Sequence, residues 1–248
     1  MIITRYSQLM QIYHELGPGD VFIGQIPGTH LKSVILSDLT VRGVGLLPGA
    51  AAQLISGSKT AQAFLLMQWM VPHTRVVTRR KELLDALSHY VRYGISAAIT
   101  KQEHMHCGHG VRLWNDLEMM YSCLSIHEKS YPFVLQPFLQ VASDLRIIIV
   151  GDYIEAYARH NATGFRMNLA AGGSSHVYDY SGEQLAYCRQ IMTRAQMPYA
   201  HLDLILTAEG HTYLSEISLH GGLHGAQISK PELDELKMSH LMALAREM

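Results

Sequence analysis

Cysteine is scarce: Cys107, Cys123 and Cys188 are the only three in 248 residues, far apart and without a CxxC pair. That argues against a disulfide framework or a structural zinc cluster and fits a reducing cytoplasm. Neither sign of charge is in excess. Lys and Arg total 20 against 21 Asp and Glu, a formal net charge of −1, which gives no electrostatic case for nucleic acid or an anionic membrane as partner. Long apolar runs are missing too; none approaches the roughly 20 residues that cross a bilayer. The opening MIITRYSQLMQIYHELGPGD lacks the basic-then-apolar order of a secretory leader, so a cytoplasmic location is expected. Proline is sparse, at 8, while 48% of residues are apolar. The chain therefore reads as globular, with enough length for one large domain or two or three small ones.

The pattern along the chain is α+β. Residues 1–56 form a short α/β unit: a strand at Asp20-Val-Phe-Ile-Gly, a helix from about Gly28 to Asp38, and a turn at Leu47-Pro48-Gly49 before another helix. A second unit, 57–130, opens with the helical string KTAQAFLLMQWM, which puts Ala63, Leu66, Met67 and Met70 on one side until Pro72 ends it. A strand at 74–78, a helix from Lys81 to about His89, a strand at 96–101 and its hairpin partner at 111–114 follow. The third unit, 131–248, is strand-rich. Strands are expected at 133–138, 145–150 and 153–160, the last two joined by Gly151-Asp152. A helix over 183–197, strands at 201–206 and 212–217 turning at Glu209-Gly210, and a C-terminal helix complete it. Hairpin-joined strands make this sheet largely antiparallel, unlike a Rossmann unit.

Chemistry concentrates in the last two strands. Asp203 and Glu216 each interrupt an apolar strand, and a hairpin turning at Glu209-Gly210 brings them to one face. Two buried carboxylates repel unless a cation relieves them, and a hard ion such as Mg²⁺ does so with phosphate as co-ligand. The plain alternative is a pair of strand-edge acids facing solvent. Just upstream stand Asp144, Arg146, Arg159, Arg166 and Asn168; guanidinium forks suit phosphoryl oxygens, though Asp144 paired with Arg146 or Arg159 is the ordinary reading. Lys101 ends an apolar strand before the loop Cys107-Gly-His-Gly, whose Gly108 and Gly110 let backbone approach a ligand but do not match the Walker pattern. His104, His106, Cys107 and His109 offer a soft-metal set, strained by having four donors within six residues. No Ser-His-Asp order or G-x-S-x-G elbow stands out.

Taken in order, these strings resemble the ATP-grasp superfamily, in its glutathione synthetase and ribosomal-protein glutamate ligase branch. The resemblance spans roughly residues 55–230 and is strongest in LQPFLQVASDLRIIIVGDYIEAYARHNATGFRMNLAAGG and HLDLILTAEGHTYLSEIS. It implies two α+β lobes with ATP between them, preceded here by a shortened N-terminal unit. It implies that Lys59 and Lys101 face the nucleotide, that Gln136 and Phe138 flank adenine, and that Asp144 lies on the nucleotide side. Arg166 and Asn168 then belong near the phosphates, with Arg146 and Arg159 as supporting cations. Asp203, Glu216 and Ser218 become the magnesium ligands, with manganese as an alternative ion. Family members usually end this strand in Glu-x-Asn, where this chain has Glu216-Ile-Ser218, a shorter and weaker ligand.

The resemblance further implies a carboxylate-amine or carboxylate-nucleophile ligase working through an acyl phosphate. The acid could be a small molecule, a peptide or a protein tail. Alternatives are a nucleotide-binding sensor or partner subunit without ligase activity, motivated by Ser218 and the short N-terminal unit, and an ATP-dependent phosphotransferase. Apolar residues in the N-terminal unit are compatible with a homo-oligomer or a partner subunit.

Overall fold

A computed structural model of the chain describes residues 1–103, 105, 110–126, 130–160 and 174–248, the side chains of Ala142 and His160 excepted. Three sheets organise it. The first is parallel and three-stranded, in the order β1 (Ile2–Ile3), β2 (Val21–Ile23), β3 (Gly45–Leu47). Helices α1 (Tyr6–Gln11), α2 (Lys32–Val41) and α3 (Ala50–Ile55) connect and follow its strands. Ile3, Leu9, Phe22, Leu36 and Leu39 fill its small core. Buried Gln53 satisfies loop backbone that no strand pairs, accepting from Ile26 N–H at 2.8 Å and donating to Pro48 O at 2.7 Å.

The helix α4 (Lys59–Leu65) begins at Ser58, whose hydroxyl accepts the Ala61 N–H. It is shorter than the sequence pattern suggests. A 3₁₀ turn over Met67–Trp69 tightens its end, and Met70 leaves to make a bridge with Leu214. Ala63, Leu66 and Met70 are buried as expected, but Met67 faces out.

The second sheet is antiparallel: β4 (Arg75–Val77), β7 (Phe133–Pro137), β5 (Ala98–Gln102) and β6 (Val111–Trp114) lie side by side in that order. Alternation divides its faces. Phe133, Leu135 and Ala98 pack with Leu83 and Tyr90 of α5 (Arg80–Arg92) and Met120 of α6 (Leu117–Leu124). Val134, Gln136 and Lys101 face the other way, toward the third sheet. Helix α6 is not among the elements expected from the sequence pattern; Asp116 caps it, accepting from the N–H groups of Glu118 and Met119.

The third sheet is antiparallel and five-stranded. Its order is β10 (Ser174–Val177), β9 (Tyr153–His160), β8 (Val141–Val150), β11 (Tyr199–Thr207), β12 (Thr212–Ser218). The predicted turns sit at Gly151 and Gly210, both at positive φ, where glycine avoids a Cβ clash. Helix α7 (Gly182–Ala195) carries a Ser181–Gln184 capping box and buries Cys188, Ile191 and Met192 in the core shared with Ile147, Leu202 and Leu204. Helix α8 (Lys230–Ala245), capped by Ser229 and Glu232, touches both β8 and the strands β2 and β3 of the N-terminal sheet. Among the described residues no helix is long and apolar enough to cross a membrane.

Candidate functional site

One face of each of the last two sheets, with α4 across the end, bounds a narrow cleft. Lys59 and Gln62 enter from α4, Lys101 and Gln136 from the four-stranded sheet, and Ser215 and Glu216 from β12.

Asp203 and Glu216 are direct cross-strand partners, so they project from one face as neighbours. The register slips by one residue immediately beyond them, between Asp203 and Leu204, leaving Ser215 as the extra residue of a bulge in β12. Lys101 Nζ lies 3.2 Å from both the carbonyl and the hydroxyl oxygen of Ser215. Burial lowers Lys101 to about 8, against the opposing pull of Glu216. Glu216 itself has no hydrogen-bond or ion-pair partner among the described residues, a half-buried carboxylate beside a half-buried ammonium.

Asp203, by contrast, is heavily engaged. Arg146 forks onto it at 2.6 and 2.7 Å, and Arg159 reaches it at 3.1 Å. Arg159 also binds Asp144, through Nε at 3.1 Å and through Nη2. Burial acts to raise both acids. In Asp203 the two guanidiniums outweigh it and hold the carboxyl at about 2; in Asp144 burial prevails, reinforced by the charge on Asp203, and the carboxyl rises to about 6. Arg146 also donates to Gly222 O at 2.9 Å, tying the loop after β12 to this network.

The remaining sequence-predicted residues are placed as follows. Lys59 donates to Met105 O and lines the cleft beside Lys101. Gln136 is buried, with its amide nitrogen 3.1 Å from Thr74 Oγ1; Phe138 stands partly exposed past the end of β7, its N–H bonded to Ala97 O at 3.0 Å. Ser218 Oγ lies 3.2 Å from Ser56 Oγ and accepts the His220 N–H at 3.0 Å. Arg166 and Asn168 lie outside the described residues, as do His104, His106, Cys107, Gly108 and His109. Ser215 and Gln62 were not anticipated; a bulge and a helix-to-strand hydrogen bond leave no local mark in sequence.

The donor set suits a hard divalent cation. Among the described residues no group of three or more His, Cys, Asp or Glu side chains could hold a metal by itself. Glu216 lines the cleft and has no partner among the described residues, and Asp203 is its cross-strand neighbour on the same face; adjacent carboxylates of this kind can hold Mg²⁺ when substrate phosphates supply further oxygens.

Residues 57–238, well over half of the chain, match the RimK-like ATP-grasp domain. A search among curated proteins by sequence finds no match. Solved structures share the fold at low identity. D-alanyl-alanine synthetase A from Vibrio cholerae is 13% identical with a TM-score of 0.62, over 90% of this chain and 77% of that one. The ATP-grasp ligase PsnB, solved with a precursor variant, Mg and ADP, is 15% identical with a TM-score of 0.58, over 96% and 72%. D-cycloserine synthetase DcsG is 14% identical with a TM-score of 0.61, over 92% and 84%.

Proposed function

We propose, from the premise that this chain belongs to the RimK-like ATP-grasp family, that it binds Mg·ATP between its two antiparallel sheets and activates a carboxylate as an acyl phosphate. An amine or other nucleophile then captures the acyl group. The observation carrying this reading is the register pairing of Asp203 with Glu216 beside Lys101. Opposed carboxylates next to a half-buried ammonium make a site for a cation and a polyphosphate together.

In this reading Lys59 and Lys101 neutralise the phosphates, and Gln136 and Phe138 border the base. Asp144 orders Arg159, while Arg146 and Arg159, with Arg166, oppose the charge that grows on the transferring phosphoryl group. Bound Mg²⁺ would supply charge neutralisation and orient the phosphate oxygens. No side-chain nucleophile is needed, since positioning and electrostatics carry the reaction. Neighbours of the same fold include a ligase solved with a precursor peptide and a D-alanyl-alanine synthetase, so both peptides and small molecules are acids to screen.

The second reading, nucleotide binding without ligation, is favoured by one observation. Ser218, at the position where the family resemblance implies an asparagine ligand, already spends its hydroxyl on Ser56 and the His220 N–H.

Calorimetry with a non-hydrolysable ATP analogue tests the nucleotide site. Glu216→Gln is the cleaner variant, because Glu216 has no hydrogen-bond or ion-pair partner among the described residues, whereas Asp203→Asn also unpairs Arg146. Binding to the parent should require Mg²⁺ and weaken about tenfold or more in Glu216→Gln, the loss of about 1.4 kcal/mol of one charged ligand's contribution. A folded parent that binds no Mg·nucleotide would sink the proposal. ADP release that needs both an acid and an amine would separate the ligase from the silent binder.

A further inference from the structure

The face that carries Asp203 continues toward the N-terminal sheet, and the nucleotide reading leaves that end unused. His201 lies two residues before Asp203 on the same face of β11, in register with Ser218. Lys237 of α8 reaches over it. Its Nζ stands 3.3 Å from His201 Nε2, donates to Leu219 O at 3.2 Å and lies 4.8 Å from the centre of the Tyr199 ring. A carbonyl, a neutral imidazole and a phenol ring bring no negative charge. Among the described residues no carboxylate comes within ion-pair distance of Lys237; Asp234, one turn earlier, is bonded to Lys230 at 3.0 Å. Burial lowers Lys237 to about 8.

Other cations surround it. Lys237, Lys230 and Lys32 all add positive potential at the exposed His220, opposed by Asp234 alone. A half-buried ammonium with only neutral partners is costly to keep, and its natural complement is an anion from solution. The patch is also wired to the centre. Gly221 packs so tightly on His201 that a Cβ there would lie 2.5 Å from Nδ1, and the next residue, Gly222, holds Arg146 through its carbonyl.

We infer that Lys237, with Lys32 and His220, forms an anion subsite for a carboxylate other than the one activated. That carboxylate belongs either to the acid, making it a dicarboxylate, or to the capturing amine, making it an amino acid. Assigning the anion to a substrate rests on the ligase reading; the anion site itself does not.

The test is calorimetric titration of the parent, Lys237→Met and Lys237→Arg, without nucleotide, against two series. One is the dicarboxylic acids from malonate to adipate, the other the neutral amino acids, each with its amide as a control that lacks the carboxylate. One series should bind the parent, weaken at least tenfold in Lys237→Met, and stay within about threefold in Lys237→Arg, where the charge remains. The series that binds identifies which substrate carries the carboxylate. If neither series binds the parent, or Lys237→Met binds as tightly, the subsite is overturned. Mg·AMPPNP titration of the same proteins reads the other premise independently: carboxylate binding without nucleotide binding would uphold the subsite and count against the ligase.

Discussion

Asp203 and Asp144 face the same two arginines from the same side of one sheet, yet one carboxyl is held at about 2 and the other rises to about 6. The difference is in the count of guanidinium contacts: Asp203 receives both arginines, Asp144 only Arg159. His201, on the same face, is displaced further still. Burial, followed by the charges of Lys237 and Arg146, lowers it to about 3 from 6.5. Below pH 6.5 the unfolded chain therefore takes up a proton that the folded chain refuses. The stabilising difference is complete above 6.5 and is lost as pH falls toward about 3, at up to about 1.4 kcal/mol per pH unit. Urea midpoints at pH 7.5, 6.5 and 5.5 should fall more steeply for the parent than for His201→Gln; parallel slopes would show that His201 titrates normally. At this scale the acids were readable in sequence because each interrupts an apolar strand. Lys237 was not, because its surroundings are assembled from α8, β11 and the loop after β12, and nothing local to residues 230–245 marks it as half-buried among neutral groups.

Elements were easiest to read where local chemistry and the final fold agree. The strand of residues 153–160 has the predicted bounds, and Gly151 and Gly210 mark turns that need positive φ. The end of α4 departs from the helical pattern because a tertiary contact decides it: Met70 matches the period but serves as a bridge to Leu214. Gln62 makes the same junction. Buried within α4, it donates to Ile55 O at 3.0 Å and accepts Ile217 N–H at 3.1 Å, fastening the helix to the end of α3 and to β12 next to Glu216. Gln62→Leu keeps the side-chain volume and leaves the buried Ile217 N–H unpaired, worth about 1–3 kcal/mol, while Ile55 O keeps the Ser58 N–H at 3.1 Å. The variant should unfold at least about 1 kcal/mol more easily in urea. A loss below about 0.5 kcal/mol would mean that the junction is held by packing alone.

At the scale of the whole molecule, sequence patterns give the lobes but not the distance between them. Hydrophobic alternation builds each sheet separately, and spacing along the chain says little about how closely two finished faces approach. Here the approach is close. Lys101 of one sheet bonds Ser215 of the other. The nucleotide reading turns Lys101 to the phosphates, and a gate at the Ser215 contact gives nucleotide binding a step that does not depend on nucleotide concentration. Followed by stopped-flow fluorescence of Trp69 and Trp114, the observed rate with Mg·AMPPNP should rise and then level off as the ligand increases. Weakening the contact with Ser215→Ala, which removes one of the two oxygens that hold Lys101, should raise the plateau. A rate that climbs linearly to millimolar ligand in both proteins would mean that the free molecule already stands open, and that the Lys101–Ser215 contact does not gate the cleft.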